Sequence, residues 1–190
     1  ICMLAYKGFD KGLICRDYQF NPGLNVTEKA NCAKNGFHCA ENPLDCFNYY
    51  PNIKNSEYYI VDAGGDIDED ERDSKISCTH LTILKRLTLK DLLLHSLAYI
   101  NDHPFRANSS QVEREIGKSR NGYVIVRGKD PVASGEKGDY LCFAKEEPNS
   151  KKIIQIALVK VDGKRIMPNR LYNVNLEESE KTEYDKKRVA

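Results

Sequence analysis

The sequence lacks a hydrophobic run long enough to cross a bilayer, and it lacks an excess of charge of either sign. Its longest strongly apolar run, near residues 92–94, is far shorter than the ~20 residues of a transmembrane helix. Residues 1–5 contain no basic residue that would open a signal peptide, so we expect a cytoplasmic protein without a membrane partner. The 29 Lys and Arg residues balance 28 Asp and Glu residues, and a net charge of +1 argues against nucleic acid as a partner.

The close C-x2-C pairs typical of zinc sites are also absent, although the chain has seven cysteines. Cys32, Cys39 and Cys46 are spaced seven residues apart and His38 adjoins Cys39, so a metal site is the alternative to structural thiols. An odd number leaves at least one cysteine unpaired in any disulfide scheme, which favours a reducing compartment. We therefore expect free, mostly buried thiols, no bound metal and no cofactor.

Short apolar segments in the first part of the chain predict strands. Residues 2–6 predict a first strand that ends in a turn at residues 7–10, and residues 14–20 predict a second strand. Residues 57–63 and 75–86 flank an acidic segment, and this arrangement is typical of a β-hairpin with a solvated tip.

Two segments carry the signals of a helix start. Asn42 as N-cap and Pro43 in the first helical position predict a short helix that ends at Pro51. Thr88, with Asp91 three residues later, predicts the start of a longer helix. Apolar side chains recur at helical spacing in this second segment, at Leu89, Leu92, Leu93, Leu97 and Ile100.

The composition changes after residue 104, where short apolar runs alternate with polar segments. Runs over 123–126, 140–144 and 153–161 predict strands. The dipeptide at residues 162–163, Asp-Gly, is typical of a two-residue hairpin turn and predicts a hairpin at this point, before a last strand near residues 171–174.

These patterns predict the fold class and the organisation of the chain. The 190 residues are enough for one domain or two small ones. We predict the α+β class, with a mixed α+β unit over residues 1–104, a mainly β unit over residues 105–176 and a charged tail over residues 177–190.

Several peptide words in the first hundred residues occur in one order in a known family. They are AYKGFD at 5–10, CRDYQ at 15–19, GFHCAENPLD at 36–45, NYYP at 48–51 and DSK at 73–75. The chain therefore resembles a family of uncharacterised proteins from bacteria, phages and prophages. The resemblance implies a cytosolic protein of mobile-element or gut-bacterial type, and it implies no particular activity.

Many members of that family continue with tandem segments rich in Ala, Asn, Ser and Gly that suggest a β-solenoid, followed by a β-hairpin segment. Residues 132–142 and 159–172 of this chain look like that final segment, whereas the repeats before it are almost gone. The resemblance therefore implies a short solenoid-like stretch of one or two irregular rungs between Arg106 and Gly138.

One functional hypothesis is an NAD-handling site. A strand ending in Tyr6-Lys7-Gly8, with Gly36-Phe37-His38 opening a helix further on, is similar to the layout in which ADP-ribosyltransferases hold NAD. Such a site needs an aromatic platform, a polar clamp and a carboxylate that stabilises an oxocarbenium-like centre. In this hypothesis Tyr6, His38 and Tyr49 or Tyr50 supply the first two. The carboxylate is missing, because Glu146-Glu147 does not have the Glu-x-Glu or Gln-x-Glu spacing.

The function that we predict instead is a binding or interaction module, with NAD handling as the alternative. The solenoid-bearing relatives favour a protein partner or self-association, because stacked rungs expose strand edges that need covering. A cysteine nucleophile at Cys39, with His38 or His80 as its base, is a third hypothesis. Adjacent residues of a strand point to opposite faces, so His38 is poorly placed for that role.

The candidate ligand-binding residues are polar and aromatic side chains near the predicted strand ends and helix start. They are Tyr6, Lys7, Arg16, Gln19, His38, Glu41, Tyr49 and Tyr50. Arg16 and Gln19 fit a partly buried polar network equally well. If these residues serve a ligand, we expect them to converge on one concave surface, because a small ligand requires polar groups aimed at a shared volume.

Overall fold

Strands make up most of the computed structural model, which describes residues 3–28, 30, 35–70, 74–106 and 110–181. The chain divides into two units, residues 1–92 and 93–190. Both units contain a β-sheet, and helices accompany them, so the predicted α+β class is confirmed. None of the helices in the described ranges is long and apolar enough to cross a membrane. The predicted boundary near residue 104 and the charged tail stay predictions, and residues 182–190 of that tail lie outside the described residues.

The N-terminal unit contains a seven-stranded sheet, a short α-helix and one turn of 3-10 helix at Ile53–Asn55. Its strands are β1 (Met3–Asp10), β2 (Ile14–Cys15), β3 (Tyr18–Gln19), β4 (Leu24–Val26), β5 (Phe37–Ala40), β6 (Ser56–Glu69) and β7 (Lys75–Leu87). The short helix α1 spans Asp45–Tyr49. The hairpin predicted from the alternating pattern is confirmed as β6 and β7, which are longer than the pattern suggests.

Strand pairing closes part of this sheet on itself. β1 pairs with both β5 and β6, and β7 pairs with the same two strands, so these four strands form a closed ring of pairings. The ring surrounds an apolar core because alternate side chains of each strand point inward. The buried members of this core are Ala5, Phe9, Phe20, Phe37, Cys39, Val61, Ala63, Ile76, Cys78, Leu81 and Ile83.

The structure corrects the boundaries of the first two predicted strands. β1 continues through residues 7–10, where the sequence predicts a turn, because each residue of β1 remains paired with β6 as far as Asp10 with Ser56. The segment predicted as a single strand over residues 14–20 is a small hairpin of β2 and β3. Arg16 turns the chain there with φ of 53°.

The second correction concerns the segment that leads into α1. Phe37–Ala40 forms strand β5, paired with β7, rather than opening a helix. Asn42 does not occupy the N-cap position, because α1 begins at Asp45. Its side-chain oxygen accepts a hydrogen bond from the backbone N–H of Leu44 at 3.0 Å, so Asn42 instead shapes the turn before the helix.

The longer helix, α2, spans Leu89–Asp102 and confirms the second helix prediction. The backbone N–H of Asp91 donates to Thr88 Oγ1, and the backbone N–H of Thr88 donates to Asp91 Oδ2, both at 3.1 Å. This reciprocal pair is a capping box with Asp in place of Glu. The apolar stripe is buried at Leu92, Leu93, Leu97 and Ile100.

The C-terminal unit is built on a five-stranded sheet. Its strands are β8 (Val112–Lys118), β9 (Tyr123–Ser134), β10 (Tyr140–Glu146), β11 (Ile153–Lys160) and β12 (Tyr172–Asn173). β8, β9 and β10 are consecutive in sequence, yet they pair in parallel. Each follows the last after only a few residues, which is the arrangement of stacked solenoid rungs. The expected short solenoid-like stretch stays a prediction, and the parallel pairing of these strands is in keeping with it.

A corner in the first rung explains how such short connections are possible. The β8–β9 register shifts after Arg114, and Glu115 there has φ of 62°. The carboxylate of Glu115 accepts hydrogen bonds from the backbone N–H groups of Lys129 at 2.9 Å and Asp130 at 3.3 Å. A side chain at Gly128 would collide with that carboxylate. The corner of one rung is thus held by a side chain of the rung before it.

The hairpin predicted at Asp162-Gly163 is wrong. The carboxylate of Asp162 accepts hydrogen bonds from the backbone N–H groups of Lys164 at 2.8 Å and Ile166 at 3.0 Å, and these bonds curl the chain into a local turn. Ile166 is buried there and no strand follows directly. The hairpin of this unit is instead formed by β10 and β11.

Arg127 of β9 and Glu146 of β10 form an ion pair that is almost fully buried. Arg127 Nε lies 3.1 Å from Glu146 Oε2, and the two side chains are 2% and 1% exposed. Arg114 donates to the other carboxylate oxygen at 2.9 Å. Arg127 also donates to the carbonyl oxygens of Pro104 at 2.5 Å and Lys151 at 2.8 Å. Burial by itself would raise the pKa of Glu146, but the hydrogen bonds and charges of the two arginines outweigh it and lower that pKa.

The substitution Glu146→Gln should destabilise the C-terminal unit by about 3–5 kcal/mol, because it leaves the Arg127 guanidinium buried without a counter-charge. The free energy of unfolding from urea denaturation measures this loss. The matched control is Glu178→Gln, whose exposed pair with Arg170 at 3.6 Å should contribute about 0–1 kcal/mol. Equal effects of the two substitutions would contradict the structural role of the buried pair.

Candidate functional site

A cleft of about 830 Å³ lies in the N-terminal unit, beside β1, β5, the β2–β3 hairpin and the end of α1. Six of the eight candidate residues line it: Tyr6, Lys7, Arg16, His38, Tyr49 and Tyr50. They come from segments distant in sequence, which the pairing of β1 with β5 brings together. Gln19 and Glu41 are not among the lining residues.

The two remaining candidates have backbone partners. The side-chain amide of Gln19 donates to the carbonyl oxygens of Gly12 at 2.8 Å and Phe20 at 3.0 Å, and it thereby fixes the β2–β3 hairpin. The backbone N–H of Glu41 donates to the carbonyl of Ser74 at 3.0 Å. Gln19 therefore supports the wall of the cleft without lining it.

Lys7 occupies a position that the strand pattern would assign to an apolar residue. It lies between Ala5 and Phe9 on the inward face of β1 and is only 5% exposed. Its ammonium donates to the carbonyl oxygen of His38 at 2.5 Å and lies 5.2 and 5.3 Å from the ring centres of Phe9 and Phe20. Among the described residues, no carboxylate forms an ion pair with Lys7. Its charge is therefore solvated by neutral groups.

Two further cations line the same cleft. Lys75, at the start of β7, has its ammonium 5.4 Å from the ring centre of Tyr49. Arg16 extends from the turn of the β2–β3 hairpin and is exposed. The cleft also contains the carboxylates of Asp10 and Asp17, and both residues are exposed, where water screens their charge. Lys7 is therefore the buried charge among the described lining residues, whereas Asp10, Arg16 and Asp17 are exposed.

Burial and the neighbouring cations both act on the imidazole of His38. Burial lowers its pKa to about 4, and the charges of Lys75, Lys7 and Arg16 contribute in that order. The imidazole is consequently neutral at physiological pH. Its Nε2 atom is buried and has no hydrogen-bond partner among the described residues. A buried polar atom of this kind is a rare feature of folded proteins and points to a missing partner.

Aromatic rings form another wall of the cleft. Tyr18, Phe20 and Phe37 contact one another with ring centres 4.7 to 5.3 Å apart, and all three line the cavity. Tyr18 is 44% exposed, so its ring is accessible from solvent. The ring planes are inclined at 56° to 71° to one another, and Phe20 and Phe37 are buried, so the ring of Tyr18 is the accessible aromatic surface of this wall.

Sequence reasoning missed several residues of the cleft, notably Cys15, Tyr18 and Lys75. Cys15 and Tyr18 flank the candidate Arg16 and stand in the same CRDYQ word, which is a signal that could have found them. Lys75 ends the DSK word at 73–75, which is a signal of the same kind. It reaches the cleft because it pairs with Ala40 across β5 and β7, and this register is known only from the fold.

The five described cysteines, Cys15, Cys39, Cys46, Cys78 and Cys142, are free thiols. Cys15 is half-buried and the other four are buried, whereas Cys2 and Cys32 lie outside the described residues. Cys39 is 5% exposed, and a hydrogen bond with Cys78 together with burial raises its pKa, which disfavours the nucleophile hypothesis for that residue. Within the described ranges, no group of three or more His, Cys, Asp or Glu residues is arranged to hold a metal ion.

The geometry differs from the NAD-binding layout that the sequence suggests. That layout requires Gly36-Phe37-His38 to open a helix, whereas Phe37 and His38 belong to strand β5. Glu146, weighed as a source of the carboxylate, is 1% exposed and is paired with two arginines of its own unit. The helix N-terminus and the carboxylate of that hypothesis are therefore both missing from their expected places.

The ring of His38 should titrate near pH 4, because protonation would place another positive charge among three cations in a buried position. Replacement Lys75→Gln should raise this midpoint toward the ordinary value, since one neighbouring charge is lost. Two-dimensional NMR of the ring resonances measures it. Lys85→Gln, an exposed position of β7 outside the cleft, is the control and should leave the midpoint unchanged. A midpoint near 6.5 in the native protein would refute this electrostatic account.

Comparison with known proteins identifies one domain and no function. No curated protein and no solved structure matches the chain. Residues 3–95 match a family described as a domain of unknown function (DUF7666), and this match covers β1 to β7, the whole cleft and the first half of α2.

Proposed function

We propose that this protein is a binding module whose N-terminal cleft holds a small organic anion that carries a flat apolar group. The observation that carries this proposal is the Lys7 ammonium, which lies in the wall of the cleft at 5% exposure without a carboxylate partner among the described residues. A buried ammonium is costly unless it is paired, and an anionic ligand would supply the counter-charge.

The other cations support an anion of low molecular weight. Lys75 and Arg16 line the cleft with Lys7, and all three are close enough to lower the pKa of His38. A carboxylate or phosphate near these groups would gain charge-assisted hydrogen bonds, which are stronger than bonds between neutral groups. The volume of about 830 Å³ is in the range of pockets that bind small molecules.

His38 supports a second, uncharged contact with the ligand. Because the ring is neutral at pH 7, its unpartnered Nε2 atom offers one directed hydrogen bond and no charge. The exposed ring of Tyr18, which packs against Phe20 and Phe37, offers stacking to the apolar part of the ligand. Together these groups favour a ligand that is polar at one end and flat at the other.

The cellular compartment and the partners of the protein are also part of the proposal. The free thiols among the described cysteines are in keeping with a reducing compartment. The family resemblance predicts a mobile-element protein of the bacterial cytosol, with a protein partner or self-association, and these features stay predictions.

Isothermal titration with matched probes tests the proposal. Benzoate and phenyl phosphate should bind at micromolar to millimolar concentration, whereas benzamide, which has the same ring without the charge, should bind at least about tenfold more weakly. Replacement Lys75→Gln should weaken binding of both anions about three- to tenfold, because one cation of the cleft is removed. NAD and ADP-ribose, titrated in parallel, test the alternative hypothesis.

Lys85→Gln is the control for this titration, because Lys85 is exposed and outside the cleft. It should bind the probes as the native protein does. Equal binding of benzoate and benzamide, or equal losses in the Lys75 and Lys85 variants, would remove the basis for an anion site.

A further inference from the structure

Cys15 is the only described cysteine that is not buried, and it lines the cleft. It stands at the end of β2, where the turn at Arg16 brings it toward β1 and the end of α1. The tight β2–β3 hairpin therefore places the Cys15 thiol at this cavity. A cysteine that is accessible, and not part of the core, is a position where chemistry rather than packing decides the choice of residue.

Two hydrogen-bond donors from different elements point at the sulfur atom of Cys15. The phenol of Tyr50 donates to Sγ at 2.9 Å, and the ammonium of Lys7 donates to Sγ at 3.5 Å. The carbonyl of Tyr50 in turn accepts a hydrogen bond from the phenol of Tyr58 at 2.6 Å, which fixes the backbone that positions the ring. Cationic and hydroxyl donors around a sulfur are the surroundings in which reactive cysteines occur.

We propose that Cys15 is a nucleophile that forms a covalent bond with an anionic electrophile held in the cleft. The inference rests on the proposed function, because the cations that bind the anion would also bring it to the sulfur. The class of ligand is a small carboxylate or phosphate that carries an electrophilic carbon. The electrophilic carbon carries a leaving group. In the reaction, the sulfur lone pair forms the new C–S bond, the bond from that carbon to the leaving group breaks, the leaving group departs with the bonding electrons, and the thiol proton passes to water.

The remaining described thiols provide an internal comparison. Burial raises the pKa of Cys46 to about 12 and raises the pKa of Cys142 further above its ordinary value. Cys39 and Cys78 lie within the core of the N-terminal unit. Cys39 and Cys46 also line the cleft, but they are only 5% and 2% exposed. Cys15 is therefore the described cysteine that combines access with neighbouring cations.

Alkylation with iodoacetate and with iodoacetamide tests the inference, because the two reagents differ mainly in charge. In either reaction the C–S bond forms as the C–I bond breaks, and iodide leaves with the bonding electrons. Tryptic cleavage after Lys11 and Arg16 isolates Cys15 in its own peptide, so mass spectrometry follows this residue separately from Cys2 and Cys32. The measured quantity is the ratio of the iodoacetate rate to the iodoacetamide rate at Cys15.

In the folded protein this ratio should exceed that of the urea-unfolded protein by about tenfold, because folding surrounds the sulfur with cations. Lys75→Gln should lower the ratio, whereas Lys85→Gln should not. Tyr50→Phe should slow both reagents several-fold and leave the ratio unchanged, because it removes a donor to sulfur without removing a charge.

A ratio in the folded protein equal to that in urea would overturn the inference, as would a slower reaction of Cys15 with both reagents after folding. This failure is distinguishable from failure of the proposed function. Benzoate that binds in titration while Cys15 shows no preference for iodoacetate would leave a noncovalent anion site and eliminate the nucleophile. Circular dichroism of each variant establishes that it is folded before its rates are compared.

Discussion

The N-terminal unit depends on how it accommodates one ammonium group, that of Lys7, on the inward face of a core strand. Neutral groups surround this charge: a carbonyl oxygen at 2.5 Å, a thiol at 3.5 Å and two aromatic rings. Each cation–π contact of this kind contributes about 0.5–2 kcal/mol, depending on desolvation. These partners stabilise the ammonium without cancelling its charge. The charge of Lys7 therefore persists in the cleft, where it adds to the effects of burial and of Lys75 in lowering the pKa of His38.

In the C-terminal unit, by contrast, the buried cation has a carboxylate partner. Arg127 is as buried as Lys7, yet a carboxylate and two carbonyl oxygens satisfy its guanidinium, and Arg114 shares the carboxylate. A network satisfied in this way rigidifies a core and requires no ligand. The paired charge of Arg127 has a structural role, whereas the charge of Lys7 has no carboxylate partner among the described residues. This difference is the reason that we place the functional site at Lys7 and not at Arg127, although both are charged residues on strands.

Short-range sequence patterns predicted the elements that depend on interactions between nearby residues. The capping box at Thr88 and the β6–β7 hairpin are confirmed, because their signals involve residues a few positions apart. The Asp-Gly hairpin at residue 162 is wrong because the aspartate carboxylate satisfies nearby backbone N–H groups, a competing use of the same residue. In the site, six of eight candidates line one cleft. Lys75 stands in the DSK word, but its place in the cleft follows from the β5–β7 register, which the sequence does not show.

Gly8 allows the Tyr50 ring to lie against β1 in the cleft. The sequence suggests a turn glycine, but Gly8 lies within β1, where a Cβ atom would come within 2.5 Å of the Tyr50 ring. The missing side chain is thus what allows that ring to rest on the strand and its hydroxyl to reach Cys15. The added Cβ atom would also lie 3.0 Å from the Tyr50 Cβ atom, so a larger residue at position 8 must displace the Tyr50 side chain and its hydroxyl with it. The surroundings of the sulfur therefore depend on a glycine that makes no polar contact with it.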